Sequence, residues 1–518
     1  MARTLALLCV SLILMSLRGG TMAAQDVKSV LQAVAKNIGA DNLRCVTYSG
    51  SGYVGIVGQN FSPRDDWPRV ELASYTKTIN FDAKSAREDQ VRRQGNNPAR
   101  GGGGVPLQGD VRQTSLVNGN YAWSLQGTNA TPQPAAASQR QLDLWITPHG
   151  FVKAAMAAIN PVMLTRYEGG EGGGEKRRVT MISIAVLGKY RVNATINSEN
   201  LIERVQTWVP NPVIGDMYYE WVYSNYRDFA GLKFPGRIHH HSDWDDDASG
   251  NPIVRGGHHA FDLSVSSAQA NACGEAVTVP EAVQKATIPP VRVESQKIAD
   301  GVYFLGGGSH NSVAVEFRNF VTVVEAPLGE ERSLAVIAEV RKLVPNKRID
   351  YVVNTHHHFD HSGGLRTYVH EEGSAIITFR GNRDFYGQEV LSLKTIRTLQ
   401  PDLLSLYPPE EAAEGYRFET VVEKYQLTDG ARTLDVHRVQ GLNHADGMLV
   451  AYLPKEKILI EADMYNVPAA GAPAAPPSAA AKTFLNNVRR LKLDVATLAP
   501  IHGPVIPWSD FMRIMGSD

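Results

Sequence analysis

One run of residues, Asn354-Thr355-His356-His357-His358-Phe359-Asp360-His361-Ser362-Gly363-Gly364, constrains this chain more than any other stretch. It sets metal-binding side chains at His-x-His-x-Asp-His spacing directly after the apolar Asp350-Tyr351-Val352-Val353. That apolar segment reads as the end of a buried strand, and Ser362-Gly363-Gly364-Leu365 as a turn into a helix. His356 and His358, two apart in extended backbone, leave the chain on one side and suit a single ion. Asp360 and His361 follow the turn and are free to serve a neighbouring position, so two adjacent ions are expected. His357 and Phe359 alternate with the ligands and should face away from them.

The remaining candidates sit in the same local setting, each at the end of an apolar run. His444 lies in Gly441-Leu442-Asn443-His444-Ala445-Asp446-Gly447, between the strand-like Leu434 to Val439 and Met448 to Leu453. Asp463 closes the run Lys457 to Ala462, and His502-Gly503-Pro504 closes Val495 to Ile501. A lone His or Asp at a strand end is ordinarily a turn residue. Its repetition after successive strands points instead to metal ligands.

With these residues in view, the segment from about Ile298 to Asp518 resembles the metallo-β-lactamase fold superfamily of hydrolases. It carries that family's His-x-His-x-Asp-His signature, its Gly-x-x-His turn, its strand-end Asp and its closing His-Gly. The resemblance implies an α/β domain, an αββα sandwich, in which His356, His358 and His444 bind one metal and Asp360, His361 and His502 the other, with Asp463 bridging. It implies two Zn²⁺ per chain, although imidazole and carboxylate ligands also admit iron or manganese. The expected chemistry is attack by a metal-bridging hydroxide on an amide or ester bond, with Asp360 orienting the nucleophile. A β-lactam is the first test case, and lactonase, thioesterase and sulfatase activities are the alternatives within the family. One departure stands out: Glu325-Ala326-Pro327 occupies the place of an Asp-x-Gly turn, so the support of the metal loop should be built differently. His310, in the glycine-rich Gly306 to Asn311 loop, is within reach of a substrate mouth but reads as a surface group.

The chain holds 518 residues, of which 43% are hydrophobic, enough core for two or three domains. Its net charge of −1 supplies no electrostatic footprint for nucleic acid, and a small-molecule substrate is expected instead. Arg3, the apolar Leu5 to Leu17 and the small residues up to Ala24 read as a signal peptide over 1–24, cleaved near Ala23 or Ala24. Export to the periplasm or outside, with no membrane-spanning segment after cleavage, is the resulting expectation. Cys45 and Cys273 would then form one disulfide or remain two buried thiols.

Residues 25–285 have short Val-, Thr- and aromatic-rich runs, which predict a large antiparallel sheet, joined by a linker over 286–297 to the domain at 298–518. Glycine runs at 101–104 and 169–174 read as exposed, mobile loops. His239-His240-His241 with His258-His259 offers a second metal site only weakly, because no carboxylate stands at ligand spacing in the sequence. The aromatic stretch Trp208 to Tyr226 reads as packing. The plan loosely resembles the half-open sheets of periplasmic lipid carriers, which makes a non-enzymatic carrier of apolar ligands the contrasting hypothesis. The Pro-rich Asn466 to Ser478, just after Asp463, is an apolar rim beside the metals or a plain connection.

Overall fold

The computed structural model describes residues 27–168, 176–243, 259–410, 415–467 and 476–516. The expected signal peptide, the glycine run at 169–174, His258 and most of the Pro-rich segment lie outside these residues. Among the described residues no helix is long and apolar enough to cross a membrane.

The amino-terminal part is one thirteen-stranded sheet in which every neighbouring pair is antiparallel, with Cys45–Gly55 and His259–Ala270 side by side near its middle. Strand Arg69–Asn80 illustrates why it forms. Val70, Leu72, Tyr75, Lys77 and Ile79 are buried, and the register slips at a bulge between Leu72 and Ser74, which keeps the apolar set on one face. Helices at 27–38, Ala137–Trp145 and Pro148–Ala157 cover that face through Leu31, Val34, Leu142, Phe151 and Val152. Cys45 and Cys273 are joined in a disulfide that ties the first strand to the segment after the last.

The carboxyl-terminal part is a four-layer αββα sandwich. A seven-stranded sheet runs antiparallel from Glu294–Ala299 to Phe320–Val324 and then parallel through Arg348–Val353 and Ala375–Phe379 to Phe418–Val421. A six-stranded sheet, Lys424–Thr428 to Ile506–Pro507, faces it. Val313, Val324 and Val353 from the first meet Val436, Leu449 and Ile460 from the second in a fully buried interior. Helices Glu330–Leu343 and Leu365–Glu372 cover one outer face, and Ala479–Leu491 and Trp508–Met515 the other.

The two parts grip each other at several places. Arg397 donates to the carbonyls of Asn211, Pro212 and Val213 in a hairpin of the large sheet, while Asp216 accepts from Thr398. Another is the loop between the strands Cys45–Gly55 and Arg69–Asn80, which reaches over the His-rich turn.

Candidate metal centre

The ligand-bearing turn begins where Arg348–Val353 leaves the sheet interior. Residues 354–358 are extended, Phe359–Ser362 makes one helical turn, and Leu365–Glu372 continues as a helix. Extended backbone puts His356 and His358 on one side, with His356 Nε2 3.0 Å from His358 Nδ1. His444 follows strand Thr433–Arg438, Asp463 follows Ile458–Glu461 and His502 follows Thr497–Pro500, so strand ends from both sheets converge.

Asp463 is the hub. Its Oδ2 lies 2.9 Å from His444 Nε2 and 3.6 Å from His356 Nε2, and its Oδ1 lies 2.7 Å from His502 Nε2 and 3.1 Å from His361 Nε2. Each carboxylate oxygen therefore faces a different set of imidazoles. Asp463 adopts this pose with φ of 59°, a left-handed conformation that a non-glycine residue rarely takes.

The donor atoms fit metal ions. His356, His358, His444 and Asp463 offer one atom each, all mutually within 4.8 Å, and His310, His361 and His502 form a second such group. Tetrahedral zinc held by nitrogens at about 2.0–2.1 Å sets its ligands roughly 3.3 Å apart. The Nε2 atoms of His361 and His502 are 3.4 Å apart. His444 Nε2 and Asp463 Oδ1 are buried and, despite the short approaches just given, make no well-aligned hydrogen bond, an arrangement that a shared cation would satisfy.

Burial holds the ring nitrogens of His356 and His358 well below the usual histidine range, leaving lone pairs for coordination. Burial would depress His361 also, but the carboxylates of Asp463 and Glu325 push it well up. Burial opposes ionisation of Asp463, yet the His361, His356 and His444 rings around it hold its carboxyl well below the usual range.

The sequence-predicted residues are thus gathered, with one at the periphery. Asp360 Oδ2 lies 3.3 Å from His310 Nε2 and 3.8 Å from His361 Nε2, at the rim of the second group. His310, expected at the surface, is buried and joins His361 and His502; its ring centroid is 4.2 Å from that of His502. Its backbone is pinned there because the guanidinium of Arg332 donates to the His310, Leu305 and Gly306 carbonyls. His357 and Phe359 face away as the alternation predicts: His357 Nε2 donates to the Asn60 carbonyl, and Phe359 meets Trp67 edge-on.

Glu325 supplies the support that the altered turn called for. Fully buried, with φ of 78°, it accepts from the Asn354 amide, the Thr355 backbone and hydroxyl, and His361 Nδ1. The last bond fixes the tautomer that turns His361 Nε2 toward Asp463.

Sequence reading missed the amino-terminal domain's share. Asn60 O accepts from His358 Nε2 at 2.9 Å, which leaves His358 Nδ1 to face the metal group, and Gln59 Nε2 donates to Asp360 Oδ1 at 2.8 Å. The glycine run at 101–104, expected to be exposed, is corrected at its first two positions, while Gly103 and Gly104 are exposed. Gly101 and Gly102 are buried, Gly101 N–H donates to the Asn443 carbonyl beside His444, and a Cβ at Gly102 would stand 2.6 Å from the His358 ring. These contacts link residues hundreds apart in sequence and leave no local signal. The only hint was that so many glycines in a row permit a close backbone approach.

The model of the Metallo-beta-lactamase superfamily matches residues 305–502. Among solved structures, a metallo-beta-lactamase from Pontibacter korlensis is 17% identical, with 43% of this chain and 98% of that chain covered and a TM-score of 0.31. The metallo-beta-lactamase FIM-1 from Pseudomonas aeruginosa in its mono-zinc form is also 17% identical, covering 44% and 96% with a TM-score of 0.31. The flavodiiron protein from Giardia intestinalis is 18% identical, covering 44% and 59% with a TM-score of 0.32. No curated protein matches the chain.

Proposed function

From a carboxyl-terminal domain that belongs to the metallo-β-lactamase superfamily, we propose that this protein is an exported hydrolase that holds two zinc ions and cleaves an amide or ester bond of a small molecule. The observation that carries the reading is Asp463, whose two oxygens each address a separate set of imidazoles. His356, His358 and His444 would hold one ion and His361 and His502 the other, with Asp463 between them and Asp360 and His310 beside the second. Zinc bound there supplies a Lewis acid for a carbonyl oxygen and acidifies water near neutral pH.

The chain's own groups prepare that chemistry. Burial would raise the Asp360 carboxyl, but His310 and the neighbouring His361 and His356 hold it well below the usual range, so it stays a proton acceptor. Gln59 donates to Oδ1 and His310 reaches Oδ2, which holds the carboxylate in place to orient the nucleophile. Glu325 and the Asn60 carbonyl fix the tautomers of His361 and His358 before substrate arrives.

Export is supported by the disulfide, a bond that persists in oxidising compartments. The expected mature amino terminus is close to Gln25, and recovery of intact Met1 from the periplasm would contradict the reading.

The experiment is elemental analysis of untagged protein, paired with a hydrolysis screen of nitrocefin, lactones, thioesters and sulfate esters. Two zinc ions at the carboxyl-terminal centre with turnover of one class would establish the enzyme and its bond. His444→Ala and His502→Ala should each lose metal and activity; full metal content in both would remove the dinuclear assignment.

A further inference from the structure

A second group of histidines lies in the amino-terminal sheet, apart from the centre just described. Strand Arg237–Asp243 pairs with Gly215–Ser224 on one side and His259–Ala270 on the other. Alternation sends His240 to the helix-covered face, where its ring stacks on Trp221 at 4.3 Å and meets Tyr219 edge-on. Tyr219 and Tyr223 mark that face, because their hydroxyls reach Asp143 and the Ile146 carbonyl of the covering helices. His239 and His241 therefore point to the opposite face together, and the register sets His259 directly across from His241.

The carboxylates missing from the sequence spacing arrive from the neighbouring strands. His239 pairs in register with Asp262, whose Oδ2 accepts from His239 Nδ1 at 2.8 Å. His241 pairs with Glu220, whose Oε2 accepts from His241 Nδ1 at 2.7 Å. Each carboxylate is also held by an arginine, Asp262 by Arg237 and Glu220 by Arg204. A carboxylate on Nδ1 fixes the tautomer in which Nε2 carries a lone pair, which is the common arrangement behind metal-binding histidines. Ring atoms of His239, His241 and His259 lie within 4.8 Å of one another, with His239 Nε2 2.7 Å from His259 Nδ1.

We propose that His239, His241 and His259 form a second metal site that takes a divalent cation of the zinc class through three imidazole nitrogens. A proton shared between His239 and His259 explains that one contact. It does not explain why a third imidazole, backed by its own buried carboxylate, is brought to the same point. The site also has a physical link to the other centre: the Trp67 indole donates to the Ser242 carbonyl, one residue from His241, and packs on Phe359, which lies between His358 and Asp360.

The test counts zinc on the full chain, stripped with chelator, reloaded with Zn²⁺ and freed of excess. His239→Gln/His241→Gln should bind one ion fewer than wild type, and His259→Gln, at a half-buried strand end, should do the same. Combining the double substitution with His444→Ala should lower the count further, which separates this site from the carboxyl-terminal one. An unchanged count in folded His239→Gln/His241→Gln overturns the proposal. Should that variant fail to give a cooperative melt, an unchanged count in His259→Gln overturns it equally.

Discussion

The backbone carbonyl of Asn60 accepts a hydrogen bond from His358 Nε2 at 2.9 Å, joining the amino-terminal sheet to a residue of the metal centre. That carbonyl also accepts from His357, and the preceding Gln59 holds Asp360. The first domain is therefore part of the centre's frame, because two of its consecutive residues orient two consecutive alternate positions of the His-rich turn. Partners of this kind typically change metal affinity or activity by about 10–100-fold when lost.

Gly102 makes that dependence testable without substituting a ligand. Its added Cβ would lie 2.1 Å from Gln59 Oε1 and 2.6 Å from His358 Cε1. Its φ is outside the left-handed region, so the clash alone is tested. Gly102→Ala should release zinc to a chelating dye about 10-fold more readily, with the thermal melt of the apo protein nearly unchanged. Equal zinc retention in variant and wild type would mean that the amino-terminal loop merely rests on the centre.

Glu325 is the buried keystone of the loop that carries His356 to His361. Alanine there would leave the Asn354 amide, the Thr355 N–H and the His361 Nδ1–H without their acceptor in a site that water does not reach. Each buried unsatisfied group costs about 1–3 kcal/mol. Glu325→Ala should lower the unfolding free energy by about 3 kcal/mol or more and weaken metal binding, read by urea unfolding and elemental analysis. Glu325→Asp, one methylene shorter, should recover part of both.

What the sequence made legible follows from how local each signal was. The His-x-His-x-Asp-His run, its apolar strand and its glycine turn are contiguous, and short Val-, Thr- and aromatic-rich runs announced the large sheet. The bulge at Leu72/Ser74, the crossing of Glu220 opposite His241 and the seating of Gly102 on His358 depend on residues from 20 to more than 250 positions apart. His310 was misread because a histidine in a glycine-rich loop carries no mark of burial until Arg332 is seen to clasp the loop's carbonyls. The carboxylates behind the second histidine group were hidden for a related reason. They stand across strands, where spacing along the chain says nothing.

The disulfide closes a segment 228 residues long, nearly the whole amino-terminal sheet. Cross-links of this kind typically contribute about 2–5 kcal/mol, largely by restricting the unfolded chain. Cys45→Ser/Cys273→Ser should therefore shift the urea midpoint downward while the zinc content of the carboxyl-terminal centre is retained. Loss of zinc together with stability would show that the sheet's integrity is transmitted to the metal ligands through the loop at Gln59 and Asn60.

His149 sets a pH limit on the first domain. It is fully buried beside Phe234, with Nε2 3.1 Å from the Ile38 carbonyl and Nδ1 unpartnered. Burial brings its pKa down from 6.5 to about 4. The folded state therefore resists a proton that the unfolded chain accepts readily. The stability is fully present above pH 6.5 and is lost as pH falls toward 4, a sum of about 3 kcal/mol for a shift of this size. Urea midpoints measured from pH 7 to pH 4 should fall with acidification, and His149→Gln should flatten that slope while lowering stability at pH 7. Parallel slopes in variant and wild type would assign the acid sensitivity to other groups.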